Sequence, residues 1–586
     1  MLWELKPKIP QEIEERIASL LSTHLLPSSY AKASEDGEGE GEKELLAQLF
    51  YNRGIIEENQ VEDFLNPQYE KLHSPFLFKD MQKAVDRIWT AIDQKEKICI
   101  YGDYDADAVT ANAVLQQTFR YLGVAVESYI PDRFSEGYGV NLDALSKIKD
   151  GGSKIIITVD CGTNSHDAAQ FCKANGIDLI ITDHHELIGA VPDAYALINP
   201  KNPDDNYPYS EITGVGVAFK LACGILSRVK GLGLRAKHVE GWEKWLLDLV
   251  AIGTVADCHS LLGENRILVK YGLKVLQKTR WVGLRAIMKS AGLDFNQKLP
   301  DVYTLGFVIA PRLNAAGRLE HANIALDLLL EQSPVVAQEK ALRLDSINQR
   351  RQTLTQTVLS EAKEKIIHIQ DRKILVMVGE GWPKGVMGLV AGRLAEEYYK
   401  PVIMLERTES LCTGSARTAG EFNLIEALKF SSEHLVKFGG HKQAAGLTLE
   451  ISQFEPFYKK ILERADASIS GENSRQALDL EAELEEQDLQ LSTYNLLTAL
   501  EPFGVGNPKP KFLLKNARIL SQRQAGANGQ HLQLQLKIGS KFLPAVAFNF
   551  SPIAASAPDF FDIACELMED GWNGRNDVKL KIVDIK

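Results

Sequence analysis

The sequence predicts an α/β protein of several domains: a doubly wound parallel-sheet domain, a long connecting helix, a second α/β domain and a C-terminal β-barrel. Three observations predict it. Short apolar runs alternate with helical stretches between residues 78 and 200. The stretch 334–368 contains no glycine and only an initial proline. Residues 531–537 alternate apolar and polar with period two, as a half-exposed strand does.

The 586 residues correspond to about three or four domains, each able to bury a core. A hydrophobic content of 45% with 25% charged residues excludes a fibrous or mostly disordered chain. No apolar run approaches the roughly 18–20 residues of a membrane helix. Met1–Lys8 lacks a cationic head followed by an apolar stretch, so neither a membrane partner nor a signal peptide is expected. The seven cysteines are scattered, odd in number and never in a C-x-x-C pair. That usage speaks against a disulfide framework or a zinc knuckle and points to a reducing cytoplasm. With 66 Lys+Arg against 78 Asp+Glu, the net charge is −12, which on average argues against a nucleic-acid partner.

In chain order, residues 1–77 form an N-terminal segment. It includes 35–44, where six acids, one lysine and three glycines predict a solvated loop. Residues 78–330 hold the parallel-sheet domain. Its buried strands are read from the runs 98–101, 124–130, 154–159, 179–182 and 196–198, because both faces of such a sheet are covered by helices. A helical region, 212–330, completes it. Residues 331–370 form the connector, a helix of about 50 Å at 1.5 Å per residue, with Pro334 suited to its first turn. The second α/β domain, 371–470, opens on a strand at 373–378. In 471–586, an acidic, helix-prone linker (473–500) precedes Glu501–Pro508 and the barrel.

The chemistry lies at strand ends. Asp103, Asp105 and Asp107 follow the first run, Asp160 the third, and Asp183, His184 and His185 the fourth. In an open α/β sheet the ligand crevice lies beyond the carboxyl ends of the strands. Asp257 ends the apolar stretch 251–256 and is expected to join them. Each aspartate alone is as well explained as a helix cap, but their coincidence with two histidines is not. Carboxylates with imidazole and no thiolate suit Mg or Mn. Five or six ligands suit two ions about 3.5–4 Å apart, the arrangement of metal-assisted phosphodiester hydrolysis.

GDYDADAVT, TVDCGT, TDHHE and GTVADCHSLLGENR resemble the successive motifs of the DHH phosphoesterase superfamily, with Asp183-His184-His185 as the name-giving triplet. Downstream, APRLNAAGR (310–318), GSAR (414–417) and FGGHKQAAG (438–446) resemble motifs of the RecJ family, and EPFGVGNPKP resembles the approach to its OB domain. The match runs in order from about residue 45 to at least 550. It implies a DHH-type parallel-sheet catalytic domain, a DHH-associated domain and an OB-type barrel. It implies Asp105, Asp107, Asp160, His184 and Asp257 as metal ligands, with Asp160 bridging. His185 would lie near the metals and the scissile phosphate, and Asp103 and Asp183 would support the site, Asp103 with the option of joining it. Arg312, Arg318, Ser415, Arg417, Gly440 and His441 fall on segments that contact phosphate in the family. Arg forks and Gly-Gly backbone amides are suited to that contact.

Two departures from the family pattern stand out. Ala108 occupies a position usually held by glycine, and a left-handed backbone there would strain it. Cys258-His259-Ser260 replaces more apolar residues. His259 is read as a packed or exposed side chain, with a stray ligand as the alternative.

Between Asn507 and Phe550 there are seven cations and no Asp or Glu: Lys509, Lys511, Lys515, Arg518, Arg523, Lys537 and Lys541. Phe512, Phe542 and Phe548 are interleaved. A basic strip with aromatics is a platform for single strands, although phenylalanines in a small barrel are more often core.

The resemblance implies a single-stranded-DNA-specific 5′-to-3′ exonuclease of DNA repair and recombination that releases 5′-mononucleotides. It would use two divalent ions, Mn or Mg, act as a cytoplasmic monomer, and work with a helicase or single-strand-binding protein. Two alternatives are a DHH phosphodiesterase acting on short oligonucleotides or cyclic dinucleotides, and a non-catalytic DNA-binding scaffold.

Overall fold

The computed structural model describes residues 2–21, 40–137, 139–231, 240–295, 299–469, 477–526, 528–553, 559–570 and 577–586. The five apolar runs form one five-stranded sheet, in the spatial order Glu127–Tyr129, Lys97–Gly102, Ser153–Val159, Asp178–Thr182, Ala196–Ile198. All four pairings are parallel. The run 124–130 contributes only three residues because it lies at the edge, while Val124 and Val126 pack against the core from outside the ladder. Counted along the chain the order is 2-1-3-4-5. It reverses between Lys97–Gly102 and Ser153–Val159, and such a switch point opens a crevice.

Helices cover the sheet. Ala106–Tyr121 and Gly214–Ser227 are buried along nearly their whole length. Leu247–Ala256, Gly263–Leu276, Val282–Ser290, Ala310–Leu319 and Asn323–Leu329 complete the helical region. Asp257 therefore follows a helix, not a strand. The apolar run before it is a helix packed on all sides, which period alone does not separate from a buried strand. Ala108 lies inside Ala106–Tyr121 and is fully buried. Its backbone is helical, so the strain expected of a left-handed alanine does not arise.

The connector is the 33-residue helix Pro334–Ile366, capped by Ser333 Oγ accepting from the Val336 amide. Beyond it a mixed sheet runs in the order Lys437–Gly440, Ala444–Glu450, Leu411–Arg417, Val402–Arg407, Leu375–Glu380. The last strands, Phe512–Ala525, His531–Ile538, Lys541–Phe548, Phe561–Glu569 and Val578–Ile585, close a barrel, because the first also pairs with Phe561–Glu569.

The N-terminal segment is not a separate unit. Leu2–Leu5 pairs in parallel with Ala477–Leu480. Ile17, Leu46, Leu49 and Phe50 share a core with Phe512, Leu532 and Leu580 of the barrel. Two local expectations change. Of the acidic loop 35–44, residues 35–39 lie outside the described residues, and Glu40 opens the helix Glu40–Asn52. Of the linker 473–500, residues 473–476 lie outside them too. The rest begins as the strands Ala477–Leu480 and Ala482–Glu483, and only Leu491–Thr498 is an α-helix. Phe512 is core, as expected of a barrel phenylalanine, but Phe542 and Phe548 are 61% and 46% exposed. No helix among the described residues is long and apolar enough to cross a membrane.

Candidate metal centre

The turn after Lys97–Gly102 places Asp105 as N-cap of Ala106–Tyr121, one carboxylate oxygen accepting from the Ala108 amide at 3.0 Å. Two residues on, Asp107 is fully buried. One of its oxygens accepts from the Val215 amide at the start of Gly214–Ser227 (3.1 Å), and the other has no hydrogen-bond partner. Asp160 adopts φ 59°, a left-handed conformation that non-glycine residues rarely take and that collects at functional sites. Its amide donates to the Thr182 carbonyl at 2.9 Å, fixing the turn against the neighbouring strand.

Asp183 is saturated. It accepts from the amides of His184 (2.7 Å), His185 (3.2 Å) and Thr163 (2.9 Å), and from His185 Nδ1 (2.7 Å). Burial opposes its charge, yet the His185 hydrogen bond and its neighbours hold its carboxyl well below the usual range. Asp183 is thus the residue that orients His185.

His184 Nε2 lies 3.1 Å from Asp160 Oδ1 and 3.5 Å from Asp257 Oδ2, and neither ring nitrogen makes a hydrogen bond. Candidate ligand atoms of Asp160, Asp183, His184 and His185 lie within 4.8 Å of one another, and so do those of His184, Asp257 and His259. The two groups share His184. Asp105 and Asp107 stand close enough to act on these acids. Burial, then Asp257 and Asp105, push Asp107 far up; burial, then Asp107 and Asp105, do the same to Asp160. Burial, then Asp105, raise Asp103 to about 8 and Asp257 to about 7. Burial pushes His184 down to about 3, keeping the imidazole neutral. Buried carboxylates that repel one another, beside an unprotonated imidazole with no partner, fit a divalent cation.

Small residues make this possible. A Cβ on Gly253 would stand 2.6 Å from Asp107 Oδ1. The segment 310–318 closes the crevice: Asn314 Oδ1 accepts from the Ala106 amide at 2.8 Å, and Gly317 lies against the Tyr104 carbonyl.

The expected phosphate residues divide. Arg312 is already matched, with Nε and Nη2 on Asp345 at 2.9 and 2.8 Å and Nη1 on the Val308 carbonyl. It ties Ala310–Leu319 to the connector instead of offering an open fork. Arg318 and Arg417 converge with Arg133 and Arg351. Burial and this mutual repulsion lower Arg318 to about 10, and burial, then Arg133, lower Arg417. Gly388 leaves room for the pair Arg417 and Ser415: a Cβ there would stand 2.9 Å from Arg417 Nη2 and 3.6 Å from Ser415 Oγ. Gly440 pairs with Ala445, itself opposite Ala416, so strand register brings the Gly-Gly-His segment beside Arg417. His441 is exposed and its amide donates to the Ala444 carbonyl. Sequence reasoning missed Arg133, whose guanidinium lies over the Tyr104 ring at 4.8 Å, and Arg351, whose Nε is buried without a partner. Neither belongs to a recognisable motif.

On the barrel, Lys515 is paired with Glu483 (2.7 Å) and Lys509 lies 3.7 Å from Glu566. Arg518, Lys537 and Phe542 are directly opposite one another on three adjacent strands, and opposite residues share a face. Ala525, His531 and Phe548 form a second such row. Arg523 bonds Gln533, and Lys511 immediately precedes the strand Phe512–Ala525, its carbonyl accepting from the Glu481 amide.

A switch-point crevice that gathers buried acids and imidazoles, capped by an arginine-lined lobe, defines a DHH-type metallohydrolase fold. The DHH family, N-terminal domain, matches residues 97–254, the DHHA1 domain residues 371–467 and the RecJ OB domain residues 480–584. The single-stranded-DNA-specific exonuclease RecJ of Bacillus subtilis is 37% identical over 92% of this chain and 67% of its own length. RecJ of Haemophilus influenzae is 32% identical over 86% and 89%. The crystal structure of RecJ from Thermus thermophilus in complex with Mn2+ superposes with a TM-score of 0.82 at 28% identity, covering 100% of this chain and 79% of that one. The same protein in complex with Mg2+ gives 0.76. This chain belongs to the RecJ family.

Proposed function

We propose that the chain is a divalent-metal-dependent exonuclease specific for single-stranded DNA, removing 5′-mononucleotides in the 5′-to-3′ direction in DNA repair and recombination. The observation that carries this reading is the crevice itself, where His184 and Asp160 present unpartnered buried ligand atoms 3.1 Å apart in a chain of the RecJ family. Asp105, Asp107, Asp160, His184 and Asp257 would hold two ions, Mn or Mg. Bound there, the ions would supply Lewis acidity and a water activated at neutral pH.

The remaining steps belong to the protein. Asp183 holds His185 by Nδ1, and the ring so oriented would act on the scissile phosphate. Arg318 and Arg417, with Ser415, Gly440 and His441 beside them, would seat a backbone phosphate, and Arg133 completes the positive rim. The row Arg518–Lys537–Phe542 supports a path for the strand, its cations following phosphates and its aromatic ring a base. That path favours a long polymer over a dinucleotide.

The domain division follows the same logic: 78–330 for the ions, 331–370 as spacer, 371–470 as phosphate lobe, and 471–586 with 1–77 as strand platform. All seven cysteines are free thiols, which supports a reducing, cytoplasmic setting. A monomer that follows a helicase or a single-strand-binding protein would meet its substrate already unpaired. The test is Asp160→Ala assayed on a 5′-phosphorylated single strand with Mn2+. Loss of mononucleotide release is expected, and retained hydrolysis would place the centre elsewhere.

A further inference from the structure

His259 is the residue the family resemblance leaves unexplained, and its surroundings give it a role. Cys258, at φ 57°, turns the chain so that His259 Nε2 comes to 3.2 Å from Asp257 Oδ2. On the other side of the ring, Nδ1 lies 3.1 Å from the Glu211 carbonyl oxygen. A carbonyl only accepts, so Nδ1 carries the hydrogen and Nε2 of the neutral ring carries a lone pair. The same carbonyl takes the Asn265 side-chain amide at 2.6 Å, and Asn265 also reaches the Ser260 carbonyl at 3.0 Å. Glu211 and Asn265 thus lock the ring's tautomer and direction.

Nε2 therefore faces a carboxylate oxygen with two lone pairs opposed. His184 Nε2 stands 3.5 Å from that same oxygen, and the two rings are 4.8 Å apart between centroids. With Asp257 ionised, two ring nitrogens converge within 3.5 Å of its carboxylate oxygen, and His184 makes no hydrogen bond from either nitrogen, an arrangement that a cation between them resolves. A histidine whose far nitrogen donates to a backbone carbonyl is the usual support of a metal-ligating imidazole.

We propose that His259 is an additional ligand of the ion held by His184 and Asp257. This rests on the metal-centre reading above and extends it. A second imidazole moves that site from a nearly all-oxygen shell toward one that favours Mn2+ over Mg2+. Specificity for the metal would thus be set by an imidazole two residues beyond the last acid of the crevice.

The test uses the full chain and reads metal binding directly. Mn2+ is titrated by calorimetry and EPR into the unsubstituted chain, His259→Ala and the amide-bearing His259→Asn, with folding checked by circular dichroism. His259→Ala is expected to weaken one Mn2+ step by about 10–100-fold and Mg2+ by a clearly smaller factor. Pulsed EPR should show at least two coupled imidazole nitrogens in the unsubstituted chain and one fewer in His259→Ala. Unchanged Mn2+ affinity, or a single coupled imidazole in the unsubstituted protein, overturns the proposal whether or not the variants fold. An unsubstituted chain that binds no Mn2+ at all overturns the metal-centre reading, and this extension with it.

Discussion

Gly214 and Asp160 are built around each other. A Cβ on Gly214 would stand 2.5 Å from Asp160 Oδ1 and 2.6 Å from its Cβ, well inside van der Waals contact. The first residue of the helix Gly214–Ser227 is thus the floor beneath an acid whose own backbone is left-handed. Gly214→Ala should displace that carboxylate by a fraction of an ångström to an ångström. Misplacement on that scale costs about 100-fold in rate, roughly 2.7 kcal/mol of barrier. Mononucleotide release under saturating Mn2+ should fall by that factor while the circular dichroism spectrum is preserved. Undiminished turnover would show that the helix start does not set the acid.

Arg417 tests the phosphate seat. Arg417→Ala should weaken single-strand binding by about tenfold, in line with a lost charge-assisted hydrogen bond. It should also lower the salt dependence of binding by about 0.7 in log–log slope, one phosphate contact on a single strand. Fluorescence anisotropy across a salt series measures both. A changed affinity with an unchanged slope would assign Arg417 to packing.

Phe542 separates a polymer-directed enzyme from one that acts on short nucleotides. Base stacking on an aromatic ring contributes about 1–3 kcal/mol. Phe542→Ala should therefore raise the KM for a long single strand several-fold or more. Hydrolysis of a dinucleotide, which would need only the crevice and the phosphate seat, should change far less. Equal effects on both substrates would remove the barrel from the strand path.

The crevice also predicts how the metal-free chain responds to pH. Asp103 at about 8 and Asp257 at about 7 lie above their ordinary value of 3.8. Between roughly pH 4 and 8 the folded chain then holds protons that the unfolded chain has released. Stability falls with rising pH wherever the folded state binds more protons. Thermal melts of EDTA-treated protein should show a declining midpoint from about pH 5 to 8. Mn2+ should restore it most at the upper end, where the acids ionise at least cost. A midpoint that rises across this range without metal would contradict the burial of these carboxyls.

Much of this was legible in the residues. Strand-end acids can be read in order because a parallel strand must be apolar on both faces, so the first polar residues after each run mark the crevice. The motif resemblance carried the phosphate segments in the same way. Other features left no trace in local pattern. Arg133 and Arg351 join the arginine cluster from a loop and from the connector, and neither stands in a motif. Arg312 looked like its neighbour Arg318 until Asp345, 33 residues away on another helix, took its fork.

By itself the sequence determined the order of the domains and the identity of the acids and imidazoles, because these depend on period, residue type and spacing, and the resemblance of its motifs gave the family. Only the tertiary structure decided which atoms were left without partners. Hydrogen bonding is a matter of proximity between distant segments: Asp183 is consumed by its surroundings, His184 is not, and His259 is turned on Asp257 by a carbonyl 48 residues away. The chemistry of the crevice lies in that difference.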